Sequence, residues 1–121
     1  MPMGGLSVIR GKVVLVPFPF DDFSLTKVRP AVCLTDSVGY HRHIILAFIS
    51  SRIPDDLLET DIILDSMQPD FAATGLRVSS TLRLHRLMTA TASLLQRELG
   101  KLPPRIQDEV YGKLMKLFNL K

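Results

Sequence analysis

The sequence predicts a mainly β domain of the α+β class: a small, strongly bent antiparallel sheet or partly open barrel with one C-terminal helix. Three observations predict it. Short apolar runs rich in β-branched residues recur through the first two-thirds of the 121 residues. A helical apolar stripe is confined to the tail. No βαβ alternation appears, which argues against a doubly wound parallel sheet. The length is that of one domain, residues 1–121.

The elements follow in order. Val13 to Val16, after Gly11, reads as a strand that stops at Pro17, because Pro17 and Pro19 cannot donate to a ladder. Phe18 and Phe20 alternate with those prolines as an extended apolar pair. Residues Asp21 to Val28 are polar and contain no glycine, so they read as a loop. Pro30 biases Arg29 towards extended backbone, and Ala31 to Leu34 forms a second strand. Asp36 to Arg42 has turn composition. Ile44 to Ile49 is a third strand, buried on both faces if continuous. Short connections favour meandering antiparallel pairing of these three. Asp61 to Leu64 reads as an edge strand and Asp65 to Gly75 as a loop. Val78 to Leu84 alternates, with Leu82 and Leu84 on one face and Arg83 and His85 on the other. The alternation breaks at Leu87 and Met88, where a bulge or bend is expected. For Ser93 to Glu98, helix and strand entry fit equally. Pro103 and Pro104 suit a helix start. Ile106, Val110, Leu114, Leu117 and Phe118 make a helical stripe, so a helix is expected over about 104–120.

Composition narrows the function classes. The chain is 46% hydrophobic and 22% charged, which fits a packed core and not disorder. The longest apolar run, Ile44 to Ile49, is far short of a membrane span, and Met1 to Leu6 lacks the pattern of a secretory signal. The one cysteine, Cys33, excludes an internal disulfide and a cysteine-rich zinc site, and its apolar surroundings mark it as a packing residue. A cytoplasmic protein is the expectation. Net charge is +3, unevenly spread. Residues 1–54 carry six Lys/Arg and three Asp/Glu, residues 55–75 none and six, and residues 76–121 nine and three. Two basic segments could meet in one face that suits a polyanion, with the acidic segment facing away.

Common catalytic motifs are missing: no Walker loop, no G-x-G-x-x-G, no H-E-x-x-H and no G-x-S-x-G. His41 and His43 have metal-ligand spacing but no carboxylate or third ligand nearby in sequence, so a solvated turn is the better reading. The informative signal is a series of segments. G-x-V-x-x-V-x-F-x-F runs from Gly11 to Phe20. The segment Lys27-Val-Arg-Pro-Ala-Val-Cys-Leu34 follows. A third strand ends in Ile49-Ser50-Ser51. Arg83-Leu-His-Arg-Leu-Met-Thr89 comes later, then Leu99-Gly-Lys-Leu102 before the helix. In this order, over about residues 8–120, the series resembles the MazF/PemK family of toxins from toxin–antitoxin systems.

The resemblance implies an SH3-like barrel of the CcdB/Kid/MazF type with a C-terminal helix, which agrees with the pattern of elements. It implies a homodimeric, sequence-selective endoribonuclease that cuts single-stranded RNA without a metal or other cofactor. The 2′-hydroxyl is the nucleophile, leaving a 2′,3′-cyclic phosphate and a 5′-hydroxyl. It also implies a cognate antitoxin protein, and operator DNA bound only through the antitoxin complex. By position, the arginine of the family's R-P motif is Arg29. The hydroxyl that ends the third strand is Ser50, with Ser51 the alternative if the register shifts by one. His85 is a candidate proton carrier, and Lys27, Arg52, Arg83 and Arg86 are candidate RNA contacts.

These residue types suit the chemistry. In-line attack concentrates negative charge on the non-bridging phosphate oxygens. A planar guanidinium can hold two of them, and a serine hydroxyl adds another donor. An ordinary guanidinium does not release its proton at pH 7, so charge stabilisation is the role assigned to Arg29. Plainer readings stand beside these. Arg29 could pair with Asp21 or Asp22, the serines could cap a strand, and His85 could be a half-buried strand residue. Phe18, Phe20 and Phe23 could stack on bases, though for Phe18 and Phe20 a role as core or loop anchors is the better reading. Two features depart from the family. Many members have a glycine-rich loop where residues 21–28 lack glycine, so this loop is expected to be stiffer. Met88 replaces a usual base in the element matched to Arg86–Thr89. A non-catalytic relative of the same fold, acting like a DNA-gyrase poison by binding protein, or a nucleic-acid-binding barrel, is the alternative function.

Overall fold

The computed structural model describes residues 8–17 and 27–120. The expectations placed on Phe18, Phe20, Phe23 and the loop up to residue 26 lie outside the described residues. Six strands form one antiparallel sheet: β1 (Lys12–Pro17), β2 (Val28–Cys33), β3 (His43–Ser50), β4 (Asp61–Leu64), β5 (Ser80–Thr91) and β6 (Arg97–Lys101). Their order is β4-β5-β3-β2-β1-β6. The first three strands form the expected meander, and β4 is the expected edge. The undecided stretch becomes a 3-10 turn at Ala92–Leu94 followed by β6, which pairs with β1 at the other edge.

The sheet buries apolar side chains on both faces, and the strand period of two sorts them. Val14, Val16, Ala31, Cys33, Ile44, Leu46, Phe48 and Ala90 share the first face. Val13, Val32, Ala47, Ile49, Ile62, Leu64 and Leu82 share the second, together with Ile106 and Val110 of the helix. β3 is buried on both faces from Leu46 to Ile49, as expected, but Ile45 is 38% exposed. The thiol of Cys33 is buried, and burial pushes its pKa up to about 12. It is a packing residue, as expected.

The helix α1 spans Pro104–Leu117, three residues short of the expected end. Asn119 takes a positive φ of 56°. Its N–H donates to the carbonyl of Lys116, and the N–H of Leu120 donates to that of Met115. This left-handed pair of bonds stops the helix. It also corrects the expected stripe: Ile106 and Val110 are buried, but Phe118 is 54% exposed.

Two further features shape the sheet. A 3-10 turn, Phe71–Thr74, presses on β6 so closely that a Cβ on Gly100 would lie 2.2 Å from the carbonyl oxygen of Ala73. The expected irregularity in β5 is present but lies earlier than Leu87. Ala47 pairs with Leu87 and Ile49 with Leu82, so two steps along β3 span five along β5. Three surplus residues sit in the Arg83–Arg86 stretch.

The candidate active site: an arginine-lined cleft

Pairing between β2 and β3 runs from Cys33↔Leu46 to Ala31↔Phe48 and stops. The next residue on β2 is Pro30, which has no N–H to offer a ladder. Beyond it lies a cleft of about 610 Å³, between the start of β2 and the end of β3. Val28, Pro30, Phe48 and Ile49 supply its apolar walls. Its polar lining is Arg29, Ser50, Ser51, Arg52, Arg83 and Arg86. No acidic side chain lines it among the described residues.

Sheet geometry explains why these residues meet. Arg29 pairs with Val16 and shares its face, the first one. Counting two residues on from Ala31↔Phe48 brings Arg29 level with Ser50 on that same face. Strand alternation gives Ser51 the opposite sense, and it lies past the end of β3, exposed. This register favours Ser50 over Ser51. The Ser50 Oγ accepts the Arg52 N–H at 3.1 Å. Its own hydrogen therefore remains available for a ligand oxygen. Thr81, opposite Ser50, donates its hydroxyl to the Arg52 carbonyl at 2.8 Å and ties down the turn that follows β3.

The β5 bulge brings in the other two arginines. In a regular strand, residues three apart face opposite ways. Here Leu82 and Leu84 lie on the second face, and so does Leu87, three residues beyond Leu84. The parity has slipped by one, and the slip places both Arg83 and Arg86 in the cleft. His85 takes up the slip. It is exposed and outside the cleft lining, so the structure does not bring it to Arg29. Lys27 is exposed just before β2 and also lies outside the lining.

Arg83 is already engaged. Its Nε and Nη2 donate to the two carboxylate oxygens of Asp61, each at 3.1 Å, and the Asp61 side chain is fully buried. Arg105 makes a similar fork to Asp70, at 2.8 Å for each bond, and Lys116 pairs with Glu59 at 3.0 Å. The fork from Arg105 holds the Asp70 carboxyl below the usual carboxylate range. The acidic segment 55–75 therefore does not simply face away, as the charge pattern suggested. Three of its carboxylates are paired with cations of the C-terminal basic segment. Sequence reasoning missed Asp61 because an acidic residue opening an edge strand reads as solvated. The only hint was its place beside the apolar run Ile62–Leu64.

His41 and His43 stack, with ring centroids 5.9 Å apart, at the turn into β3. Among the described residues no three His, Cys, Asp or Glu side chains are grouped to hold a metal ion. The cleft can thus offer several guanidinium groups and a hydroxyl donor on one face, an arrangement suited to a phosphodiester.

Fold and cleft together define a small curled sheet with a C-terminal helix and an arginine-lined groove opening where two central strands part. Residues 9–118 match the model of the PemK-like, MazF-like toxins of type II toxin–antitoxin systems, and the chain belongs to that family. Solved structures agree in fold. The Mycobacterium tuberculosis toxin MazF-mt6 is 20% identical with a TM-score of 0.69, over 91% of this chain and 98% of that one. An endoribonuclease in complex with its cognate antitoxin, from a mycobacterial species, is 12% identical with a TM-score of 0.67, covering 95% and 98%. A MazE–MazF structure from Deinococcus radiodurans is 19% identical with a TM-score of 0.67, covering 95% and 99%. Among curated proteins, none matches the sequence.

Proposed function

We propose that this toxin is a sequence-selective endoribonuclease that cuts single-stranded RNA by attack of a ribose 2′-hydroxyl on the adjacent phosphorus. The observation that carries the reading is the placement of Arg29 and Ser50 on one face at the parted strands, beside Arg52, Arg83 and Arg86. As the 2′-oxygen bonds to phosphorus, the bond to the 5′-oxygen breaks. The products are a 2′,3′-cyclic phosphate and a 5′-hydroxyl. Arg29 holds the non-bridging oxygens as charge builds on them, and the Ser50 hydroxyl donates to the same group. Arginines thereby supply the charge stabilisation that a metal ion supplies elsewhere. Water entering the open cleft takes the 2′ proton and delivers one to the leaving oxygen, since His85 stands outside.

The partners follow from the same reading. A cognate antitoxin is the expected protein partner, with operator DNA bound only through that complex. A homodimer is supported by exposed apolar side chains on α1 and just beyond it: Tyr111, Met115, Phe118 and Leu120. No helix of the described residues is long and apolar enough to cross a membrane, and a single-stranded RNA substrate makes the cytoplasm the site of action.

The test is incubation of single-stranded RNA with the protein in excess EDTA, followed by analysis of the ends. Cyclic-phosphate and 5′-hydroxyl ends are expected, with duplex RNA cut poorly because a paired strand cannot splay. Fragments with 3′-hydroxyl ends, or cleavage abolished by EDTA, would sink the mechanism. No cleavage of any RNA would favour a toxin that acts by binding.

A further inference from the structure

We propose that Asp61 is a positioning residue for RNA cleavage, acting through Arg83. This rests on the ribonuclease reading and extends it to a residue that touches no RNA. Asp61 opens β4 directly across from Arg83, and opposite charges on facing strand positions attract. Its carboxylate takes three hydrogen bonds: two from the Arg83 guanidinium at 3.1 Å, and one from the Leu58 N–H at 2.9 Å. Its own carbonyl accepts the Lys113 ammonium of α1 at 2.7 Å. The carboxylate is thus fixed to β4, to the preceding turn and, through its backbone, to the helix.

The location matters as much as the bonds. Arg83 lies in the bulged stretch of β5, where regular pairing with β3 is interrupted. On that side the ladder does not fix the side chain, and the long arginine stem could take many rotamers. The Asp61 fork removes that freedom. It occupies Nε and one hydrogen of Nη2, and leaves Nη1 and the other Nη2 hydrogen for a phosphate oxygen. The Arg83 side chain is 23% exposed, its partner 0%, so the anchored edge is dry and the cleft edge is wet. A guanidinium held in this way meets RNA without first being ordered.

The experiment is a double-mutant cycle of Asp61→Asn and Arg83→Ala, read as kcat and KM on a single-stranded oligoribonucleotide. Asparagine keeps the shape but cannot accept both arms of the fork. Asp61→Asn should lower kcat/KM by about 10- to 100-fold, the scale for a group misplaced by about an ångström. In the Arg83→Ala background it should have no further effect. The Arg83 Nε–H resonance should exchange slowly with water in the unaltered protein and rapidly in Asp61→Asn. A merely structural ion pair would not produce this pattern of coupling. Asp70→Asn, which breaks a similar fork away from the cleft, should leave activity unchanged. If Asp61→Asn does not fold, Arg83→Lys carries the test: it keeps the charge beside Asp61 but loses the fork, and should show the same loss.

Full activity in folded Asp61→Asn, or in Arg83→Lys, overturns the proposal. So does an equal loss from Asp61→Asn with or without Arg83. Each of these results leaves the ribonuclease reading standing, because the unaltered toxin cleaves. An unaltered toxin that cuts no RNA overturns the ribonuclease reading itself, and the role of Asp61 falls with it.

Discussion

Replacing Ser50 by alanine removes one hydroxyl and tests the register on which the site depends. Two effects separate. The Arg52 N–H loses its 3.1 Å acceptor, but Arg52 is exposed, so water takes over the bond. The stability cost should stay below about 1 kcal/mol. The catalytic effect is larger, because the hydroxyl hydrogen is the group left for the phosphate. Loss of one donor aimed at a developing oxyanion costs about 100- to 1000-fold in a closed site. This cleft is open to water, which weakens such bonds, so the range widens downwards to about 10-fold. Ser50→Thr keeps the hydroxyl and should retain most activity. Ser51→Ala should stay within about twofold of the unaltered protein, the size of a small change of well under 1 kcal/mol. The assay is initial-rate cleavage of a fluorescent oligoribonucleotide, with urea unfolding of each variant alongside. A larger loss in Ser51→Ala than in Ser50→Ala would refute the register, and equal full activity in both would remove the serine from the mechanism.

Other outcomes follow from the fold. A methyl group on Gly100 would press on the Ala73 and Thr74 backbone at 2.2–2.7 Å. Gly100→Ala should therefore lose at least about 1–3 kcal/mol in urea unfolding. Gly112→Ala, in α1 with open space around it, should gain about 0.5–1 kcal/mol; an unchanged midpoint for Gly100→Ala would contradict the tight approach. The Cys33 thiol, raised to about 12 by burial, should react with a thiol reagent at pH 8 only after unfolding; fast reaction of the native protein would show that it is accessible. Sedimentation at micromolar concentration should give a dimer, and RNA affinity should fall steeply between low and moderate salt as counterion release is lost. A monomer near 13.5 kDa that still cleaves RNA would break the dimer reading, and salt-indifferent affinity would break the charge argument.

Much of the fold was legible in the sequence because local patterns and tertiary packing agree there. The runs around Val14, Val32 and Ile45 are β-branched or apolar enough to commit to strands alone, and Pro104 with the Ile106–Val110 stripe commits α1. Where the pattern is weak, the tertiary structure decides. Arg97-Glu-Leu-Gly-Lys101 has no apolar period and becomes β6 because β1 offers an edge. The bulge was misplaced for a related reason. A parity slip becomes visible only at the next apolar residue, Leu87, although the surplus residues lie at Arg83–Arg86.

The site divides in the same way. Arg29 and Ser50 could be placed from sequence because they flank or end strands whose register is set by the core. Arg52, Arg83 and Arg86 line the cleft, and His85 and Lys27 do not. One residue of bulge separates a side chain in the cleft from one in solvent. Asp61 was hard to see because its place beside Ile62–Leu64 is a weak mark of a buried carboxylate. Its partner lies 22 residues away, across a strand pair that only the fold brings together.

The measurement that bears most directly on the central claim is cleavage of single-stranded RNA by Arg29→Ala and Arg29→Lys beside the unaltered toxin, with the ends of every product identified. The unaltered protein should leave 2′,3′-cyclic phosphate and 5′-hydroxyl ends. Arg29→Ala should lose nearly all activity, because the charge opposite the reacting phosphate is gone. Arg29→Lys should not recover it, because a single ammonium cannot bridge two oxygens. Undiminished cleavage with the same ends in Arg29→Ala would contradict the account.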